Sequence, residues 1–301
     1  MRTQQIEGKG QIALSCQEMH HGGTSFFIRR WKSCSSRSFA SIVILHGLGG
    51  HSGYYDAFAR LLAALQMDVI SYDRRGHGYS GGRRGYVRNL NTDSDDLNWL
   101  LTTMQPQPTT PTCLLGDSWG ALLLLEYSRR YTLNVEAIIL SSPPVRLNVR
   151  TTWLASTIRA LCTLIGTALR GRPAMPAPFP LSYASTDERF LKLLTSDPTT
   201  NLRMHPNALT ITSRLMLRAK RSAAAIKVPT LILVGSLDRI ISTSAAQRLA
   251  RAMICTVTEV EQFTQAHHTL YLDNATPLVA ATIQAWLARV TGHGGGSLHA
   301  R

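Results

Sequence analysis

The segment TCLLGDSWGALLLLEYSRRY, residues 112–131, constrains the fold more than any other part of the chain. A short apolar run is followed by a short segment with polar residues, GDSWG, and then by a longer apolar run with helical spacing. This order is typical of a strand that turns directly into a helix, which forces the middle residue, Ser118, into a strained backbone conformation. Glycines on either side let neighbouring backbone segments approach without a Cβ clash. The pattern predicts that Oγ of Ser118 projects above a sheet edge at a helix N-terminus.

Strand-like and helix-like segments alternate along most of the chain. The run SIVILHG, residues 41–47, is rich in β-branched residues, which is typical of a strand buried on both faces. Similar runs follow as MDVISYD, TCLLGD, VEAIILSS and VPTLILVGSLD, with amphipathic helical stretches between them. We therefore predict an α/β fold with a mostly parallel, doubly wound sheet. The earlier segments GQIALSC and TSFFIRRW, bounded by glycines, predict a hairpin.

Residues 145–227 interrupt this alternation with helical and proline-rich pieces and no convincing strand. WLASTIRALCTLIGTALR is amphipathic, whereas GRPAMPAPFP must be extended or turn-like because proline cannot continue a helix. The interruption divides the chain into a first part of the core (1–144), a helical cap or lid insertion (145–227), a second part of the core (228–290) and a flexible tail (291–301).

The charge of the chain favours anionic partners. Its formal net charge is +14, and residues 145–227 alone hold thirteen Lys and Arg against three acidic residues. A basic, amphipathic insertion predicts contact with an anionic membrane surface. The alternative is that its apolar face packs on the core and its arginines are solvated. Nucleic acid is not expected as a partner, because no array of stacking aromatic residues and no binding motif accompanies the charge.

Five scattered cysteines indicate a reducing compartment: Cys16, Cys34, Cys113, Cys162 and Cys255. They form no C-x-x-C pair, so neither a zinc site nor a disulfide framework is supported. The N-terminal residues do not resemble a signal peptide, and no apolar run is long enough to span a bilayer. These features predict a cytoplasmic protein that associates with membranes, if at all, peripherally.

The GDSWG turn predicts a nucleophilic serine with an oxyanion site. Ser118 would attack, and the N–H of Trp119 at the helix N-terminus would face the developing oxyanion. A second donor is expected in LHGLGG, a glycine-rich turn after a buried strand, where the N–H of Leu48 is our prediction. The alternative for Ser118 is a tight turn with an N-capping serine.

The same glycine-rich loop has a competing interpretation. Gly47, Gly49 and Gly53, with Asp73 at the end of the next strand, partly match a dinucleotide-binding fingerprint. That fingerprint requires its third glycine three residues after the second, where this chain has Ser52. We therefore do not expect nucleotide binding.

A catalytic serine also requires an acid and a base, which in this architecture follow it in the order acid, then histidine. Among the acids after Ser118, Asp238 alone directly follows a buried strand, at the sheet edge where ligands bind. Its alternative role is an Asx turn. The base is expected in QAHHTLYLD, where His267 and His268 are adjacent, so that only one can point inward.

Six segments, spread over about residues 26–290, together resemble a known family: LHGLGGHSGYYDAFARLLA, VISYDRRGHGYSGGRRGYV, LLGDSWGALLLLEYS, SDPTT, VPTLILVGSLDRIIS and QAHHTL. The chain is similar to α/β-hydrolases of the monoglyceride lipase and lysophospholipase group, also classed as serine aminopeptidase-like hydrolases. The family pattern A-x-H-T-L implies that His268 is the base. The resemblance likewise implies Ser118 as nucleophile, Asp238 as acid, and Leu48 and Trp119 as oxyanion donors.

The chain departs from the family pattern at two positions. Ala121 stands where a glycine usually follows G-x-S-x-G, and Asp117 precedes the serine where histidine or glutamate is more familiar. A carboxylate at position 117 raises the pKa of the catalytic imidazole if the two lie close together. This departure bears on the pH optimum and not on the class of reaction.

These features predict a serine ester hydrolase that acts on a monoacylglycerol or lysophospholipid through an acyl-enzyme, with no metal or organic cofactor. Two alternatives stay open. An acyltransferase or thioesterase would use the same three residues with a different acceptor, and a non-catalytic protein of this fold would bind a ligand or partner. The sequence does not determine the oligomeric state.

Overall fold

The computed structural model describes residues 3–6, 12–33, 35, 38–104, 110–148, 174–176, 180–185, 187–255 and 257–292. Its strands are β1 (Thr3–Ile6), β2 (Ile12–His21), β3 (Thr24–Ser33), β4 (Ala40–Leu45), β5 (Met67–Tyr72), β6 (Thr112–Asp117), β7 (Ala137–Ser141), β8 (Met175–Pro176), β9 (Arg203–Met204), β10 (Thr230–Gly235) and β11 (Thr258–Phe263). The α-helices are α1 (Asp56–Ala64), α2 (Thr92–Met104), α3 (Trp119–Arg130), α4 (Glu188–Ser196), α5 (Pro206–Ala223), α6 (Thr243–Ala250) and α7 (Thr276–Val290).

Nine strands form one sheet in the order β1-β2-β3-β5-β4-β6-β7-β10-β11. The strands from β5 to β11 in this order pair in parallel, whereas β1, β2 and β3 extend the sheet with antiparallel pairs. The predicted α/β fold with a mostly parallel sheet is therefore confirmed. The predicted hairpin is β2–β3, and its turn residues Gly22 and Gly23 both have positive φ, as a tight hairpin turn requires.

The parallel strands form the centre of the core. Every residue of β4, β5, β7 and β10 is buried, which confirms the interpretation of their apolar runs as strands covered on both faces. The helices that cover them include α1, which packs against α7, and α3, which packs against α2 and α5. Because parallel strands end at the same edge, the residues that follow β4, β6, β10 and β11 are brought to one side of the molecule.

The insertion predicted for residues 145–227 is described in part. Within this range the structure describes a 3-10 turn at Leu181–Tyr183, α4, and α5, which begins with proline at its first position. The structure also contains a two-residue antiparallel pair, β8–β9, that the sequence analysis did not predict, because two residues are too short to show an alternating pattern. The amphipathic segment 153–170 and residues 293–301 of the tail lie outside the described residues. Within the described ranges, every helix is too short or too polar to cross a lipid bilayer.

Candidate active site

Ser118 is the single residue between the end of β6 and the start of α3. Its backbone has φ +52° and ψ −111°, so the strain predicted for the middle of the GDSWG turn is present. Two backbone hydrogen bonds hold this conformation: the N–H of Ser118 donates to the carbonyl of Ser141 at 2.8 Å, and its carbonyl accepts from Ala121 at 2.9 Å. The Ser118 side chain makes no capping hydrogen bond to the helix, so the N-cap alternative is not what the structure shows.

The glycines around Ser118 are required by contact with neighbouring backbone. A Cβ placed on Gly120 would lie 2.1 Å from the carbonyl oxygen of Leu45, at the end of β4. A Cβ on Gly116 would lie 2.6 Å from the carbonyl oxygen of Gly120. The turn thus depends on β4, β6 and α3 approaching more closely than any residue with a side chain permits.

We expect Gly120→Ala to destabilise the protein by about 3 kcal/mol or more, because the new methyl group must push apart a strand and a helix that are both buried. Urea denaturation followed by circular dichroism measures this loss. Gly292→Ala is the control: φ there is +72° and a Cβ would meet no atom within 4 Å, so only left-handed strain of about 1–2 kcal/mol is added. Equal losses in the two variants would contradict the close approach at Gly120.

Three predicted residues meet at the carboxyl edge of the sheet. Nε2 of His268 lies 2.8 Å from Oγ of Ser118, and Nδ1 of His268 lies 2.7 Å from Oδ2 of Asp238. His268 and Asp238 are buried, whereas Ser118 is half-buried and borders a cavity. The distances correspond to a hydroxyl hydrogen-bonded to an imidazole that is itself held by a carboxylate.

Asp238 makes an Asx turn and also contacts the imidazole of His268. Its Oδ1 accepts hydrogen bonds from the N–H groups of Ile240 at 2.8 Å and Ile241 at 3.0 Å, as in an Asx turn. Its Oδ2 is left for the imidazole of His268. The turn therefore fixes the carboxylate in the orientation that the imidazole needs.

The loop that carries His268 is held by contacts that the sequence analysis missed. The hydroxyl of Ser142 donates to the carbonyl of His268 at 2.7 Å, and Ser142 itself has φ +43° at the end of β7. The N–H of Thr269 donates to the carbonyl of Ala184 in the insertion at 3.1 Å. The one signal in the sequence was the pair of serines that ends the strand VEAIILSS, directly before two prolines.

The neighbouring histidine has a different partner. Nδ1 of His267 lies 3.1 Å from Oδ2 of Asp273, and its backbone N–H donates to the same oxygen at 2.9 Å. Of the adjacent pair, His268 is therefore the one that faces Ser118.

Two further histidines, His46 and His77, are buried beneath the site. Nδ1 of His46 donates to the carbonyl of Gly47 at 2.9 Å, and its Nε2 accepts from the N–H of Arg74 at 3.0 Å. Burial, and next the charge of Arg74, hold the pKa of both imidazoles well below the ordinary value. Both rings are thus neutral near pH 7 and support the loops around them.

The pKa of His268 results from two opposing effects. Burial lowers it most, but the charge and the hydrogen bond of Asp238 together with the charge of Asp117 outweigh burial, and the net direction is upward. Because Nδ1 faces the carboxylate, its N–H donates a hydrogen bond to Asp238, and Nε2 is left to accept a hydrogen bond from the hydroxyl of Ser118.

The two predicted oxyanion donors belong to segments that adjoin Ser118. Trp119 is the first residue of α3, and Leu48 is in the loop that follows β4 and lines the cavity. This loop passes close to Ser118, since a Cβ on Gly47 would lie 3.4 Å from the Ser118 Cβ. The Trp119 side chain is turned toward the core, where its indole N–H donates to Oγ1 of Thr212 at 2.9 Å.

The cavity beside Ser118 has a volume of about 110 Å³ and a mostly apolar wall. Its lining includes Leu48, Leu181, Phe190, Leu194, Met204 and Leu272. Phe190 and Leu194 belong to α4, which is capped by Asp187 and faces the cavity on this side. Leu193 of the same helix points outward and is exposed.

The end of α4 is fastened to the loop after β4. Nε2 of His51 lies 3.0 Å from Oδ2 of Asp197, and the hydroxyls of Tyr54 and Thr200 are hydrogen-bonded. The N–H of Asn201 donates to the carbonyl of Gly49 at 2.9 Å. Residues 197–201 of the insertion therefore form part of the site.

The DRRGHG segment, residues 73–78, makes contacts that hold the loop after β5. The carboxylate of Asp73 accepts from the N–H of Ser52 at 2.7 Å and from the N–H of Tyr79 at 2.8 Å. Arg75 pairs with Asp96 at 2.8 Å. Both oxygens of Asp73 are thus engaged within the protein, which is not the role that a dinucleotide fingerprint would give it.

Comparison with known proteins assigns the chain to a family. The profile of the family described as "Serine aminopeptidase, S33" matches residues 36–275, and the chain belongs to this family. The chain is 27% identical over 281 residues to the monoglyceride lipase of Homo sapiens, covering 91% of this chain and 90% of that protein. It is 25% identical over 251 residues to the monoacylglycerol lipase of Mycolicibacterium smegmatis, covering 82% and 87%.

Solved structures show the same fold. A soluble variant of monoglyceride lipase from Saccharomyces cerevisiae, in complex with a substrate analog, superposes with a TM-score of 0.83 at 18% identity and covers 91% of this chain and 94% of that one. The monoacylglycerol lipase of Paleococcus ferrophilus gives a TM-score of 0.76 at 23% identity, covering 88% and 99%. The chain is a carboxylic ester hydrolase with the α/β-hydrolase fold.

Proposed function

We propose that this hydrolase cleaves the ester bond of monoacylglycerols or lysophospholipids, with Ser118 as nucleophile, His268 as general base and Asp238 as its orienting acid. The observation that supports it most directly is the pair of distances that join the three side chains, 2.8 Å from Ser118 to His268 and 2.7 Å from His268 to Asp238. Side chains at such separations can pass a proton without further movement.

The proposed reaction has two halves. Oγ of Ser118 attacks the ester carbonyl while Nε2 of His268 takes its proton, and the N–H groups of Leu48 and Trp119 stabilise the oxyanion. The imidazolium then protonates the leaving alcohol, and an acyl-enzyme remains. Water, deprotonated by His268, attacks the acyl-enzyme and releases the fatty acid. Asp238 holds the imidazole in the required tautomer throughout.

The apolar cavity supports a lipid acyl chain as the group that is transferred. Phe190 and Leu194 of α4 and Met204 of β9 supply the part of its wall that comes from the insertion. Named relatives that share 25–27% of aligned residues are monoacylglycerol and monoglyceride lipases. The family is described as an aminopeptidase, so a peptide substrate is the alternative to be tested.

A substrate panel tests the proposal. We expect the purified protein to release fatty acid from a monoacylglycerol, a lysophosphatidylcholine or both, and to leave aminoacyl p-nitroanilides intact. Labelling by a fluorophosphonate probe reports the nucleophile independently of the substrate. Cleavage of the anilides without release of fatty acid would refute the lipid substrate, and absence of labelling would refute the nucleophilic serine.

The orientation of α4 predicts how acyl-chain preference can be changed. We expect Leu194→Trp to reduce kcat/KM for a p-nitrophenyl ester of a twelve-carbon acid at least about tenfold while affecting the acetate ester less than about threefold, because the larger ring fills the cavity. Leu193→Trp is the matched control on the outer face of the same helix. Similar losses for both ester lengths would contradict the placement of the acyl chain against α4.

We also propose that the basic side of the molecule contacts anionic membranes. A groove of about 380 Å³ between α5 and α6 is lined by four exposed cations: Arg146, Lys220, Arg248 and Arg251. None of the four forms an ion pair with a described residue. Cations grouped in this way attract acidic lipid head groups.

Co-sedimentation with vesicles tests this contact. We expect binding to phosphatidylglycerol vesicles that weakens in 0.5 M salt and in a variant with the four cations replaced by glutamine. Equal binding to phosphatidylcholine vesicles would contradict an electrostatic contribution to membrane binding.

A further inference from the structure

Asp117 differs from every other buried carboxylate that the structure describes. Six others are buried, and each lies within ion-pair distance of an arginine or a histidine: Asp68, Asp73, Asp93, Asp96, Glu126 and Asp238. Asp117 is 7% exposed and forms no such pair among the described residues. An isolated charge in the protein interior lowers stability. The position of Asp117 next to Ser118 therefore suggests that its carboxylate contributes to function.

The surroundings of Asp117 are polar but almost uncharged. The hydroxyl of Tyr55 donates to Oδ2 at 2.7 Å, whereas Oδ1 has no described partner in hydrogen-bonding geometry. Oδ2 also lies near the oxyanion loop, 3.6 Å from where a Cβ on Gly47 would be. Tyr271 and Ser141 complete the buried wall on this side, and the Ser141 hydroxyl is near enough to lower the pKa of the carboxyl.

Asp117 and His268 line the same cavity as Ser118, and the titratable groups around Asp117 show which of them can carry a positive charge beside it. Tyr55 approaches from the 3-10 turn after β4, and Tyr271 from the 3-10 turn before α7. Burial holds the pKa of both phenols well above 10, so they are neutral. Asp238 is a like charge, which opposes ionisation of Asp117. His268 is the group in this set that gains a positive charge during the proposed reaction.

We propose that Asp117 is a second carboxylate for the imidazole of His268, a positioning residue that stabilises the imidazolium formed when Ser118 loses its proton. The inference rests on the proposed function of the same site. The proton moves from Oγ of Ser118 to Nε2 of His268 and then to the leaving alcohol, and Asp117 remains ionised and exchanges no proton in the cycle. Its effect is electrostatic, in addition to the direct contact that Asp238 makes.

The protonation of Asp117 should then limit activity at low pH. Burial raises its pKa to about 6, although the Tyr55 hydroxyl and the His268 charge lower it. Asp117 in turn raises the pKa of His268. Above pH 6 the carboxylate is ionised and supports the imidazolium, and below pH 6 it becomes neutral. The two groups titrate as a coupled pair, so the acid limb of the pH profile belongs to both.

Asp117→Asn tests this proposal, because the amide has the same shape and its oxygen can still accept from Tyr55. We expect the acid limb of kcat/KM to move to lower pH by about half to one unit, and kcat at pH 8 to fall about 3- to 10-fold with KM unchanged. The control is Asp68→Asn, which makes the same chemical change at a carboxylate that pairs with Arg30, at the opposite end of β5 from the site. This variant should leave the acid limb of the pH profile unchanged.

Two further measurements separate an electrostatic role from a structural one. Asp117→Asn should raise the melting temperature at pH 8 but not at pH 4, since a carboxyl whose pKa is higher in the folded state destabilises that state only where it is ionised. Tyr55→Phe removes the hydrogen bond that favours the ionised form, so its loss of kcat near pH 6.5 should be largely recovered at pH 9.

The outcomes distinguish failure of this inference from failure of the proposed function. A uniform loss of activity in Asp117→Asn with an unmoved acid limb, or a Tyr55→Phe loss that is equal at all pH values, would overturn the role of Asp117 while the wild-type protein remained an esterase. If the wild-type protein released no fatty acid and escaped fluorophosphonate labelling, the proposed function itself would fall, and this inference with it.

Discussion

Replacement of Ser118 by alanine should reduce kcat/KM for p-nitrophenyl esters by about 10⁴- to 10⁶-fold. The reason is geometric as well as chemical. Ser118 alone among the residues of the turn places a hydroxyl 2.8 Å from Nε2 of His268, and its positive φ directs that hydroxyl away from the helix. Water entering the space left by Oγ is not covalently attached to the protein, so it is held less firmly in line with the ester carbonyl carbon.

The measurement requires steady-state assays at high enzyme concentration together with fluorophosphonate labelling. Ser128→Ala, in the last turns of α3, is a suitable control because that serine hydroxyl donates only to the carbonyl of Leu125. It should retain labelling and nearly all activity. Full esterase activity in Ser118→Ala would overturn the assignment of the nucleophile.

Asp238→Asn should reduce kcat by about 10³- to 10⁴-fold with little change in KM. Oδ1 of Asp238 accepts from the N–H groups of Ile240 and Ile241, so the amide oxygen of asparagine will occupy this position. The NH₂ group must then face Nδ1 of His268. An NH₂ group can only donate, which forces Nδ1 to accept and leaves a proton on Nε2, where the Ser118 proton should go.

Asp273→Asn provides a matched control for this effect. Asp273 holds the adjacent imidazole of His267 through a comparable contact of 3.1 Å, whereas the imidazole hydrogen-bonded to Ser118 is that of His268. We expect activity within about threefold of wild type in this variant, since side chains that hold separate imidazoles act independently. Parallel kcat measurements on both variants, with circular dichroism to verify folding, check the prediction. Equal losses would mean that His267 and not His268 is coupled to the chemistry, or that the loop as a whole had moved.

Much of this arrangement could be predicted because the relevant constraints are local. GDSWG specifies a strand–turn–helix in which a Cβ on either glycine would lie only 2.1–2.6 Å from a backbone oxygen, so that glycine is required at both positions. Asp238 could be found because it directly follows a buried strand. The continuous β-branched runs of β4 and β10 likewise identified strands buried on both faces.

Other features depend on contacts between residues far apart in the chain. The choice between His267 and His268 is made by Asp273 and Asp238, and the sequence analysis needed a family resemblance to reach it. Ser142 lies 126 residues from the carbonyl that it holds, and the serine pair in the sequence does not identify that partner. The β8–β9 pair is two residues long, which is below the length at which a period of two can be seen.

The backbone hydrogen bond between Asn201 and Gly49 affects how a substrate can enter the cavity. Gly49 is the residue after Leu48, and a Cβ on it would lie 2.5 Å from the carbonyl oxygen of Asn201. The insertion and the loop after β4 are therefore in direct backbone contact. Any movement of residues 197–201 away from the cavity must break the hydrogen bond between Asn201 and Gly49 or displace the Leu48 peptide as well. Under the proposed function, movement of residues 197–201 to admit a bulky lipid would also displace the proposed oxyanion donor, so an enzyme held in an open state should bind substrate well but turn over slowly.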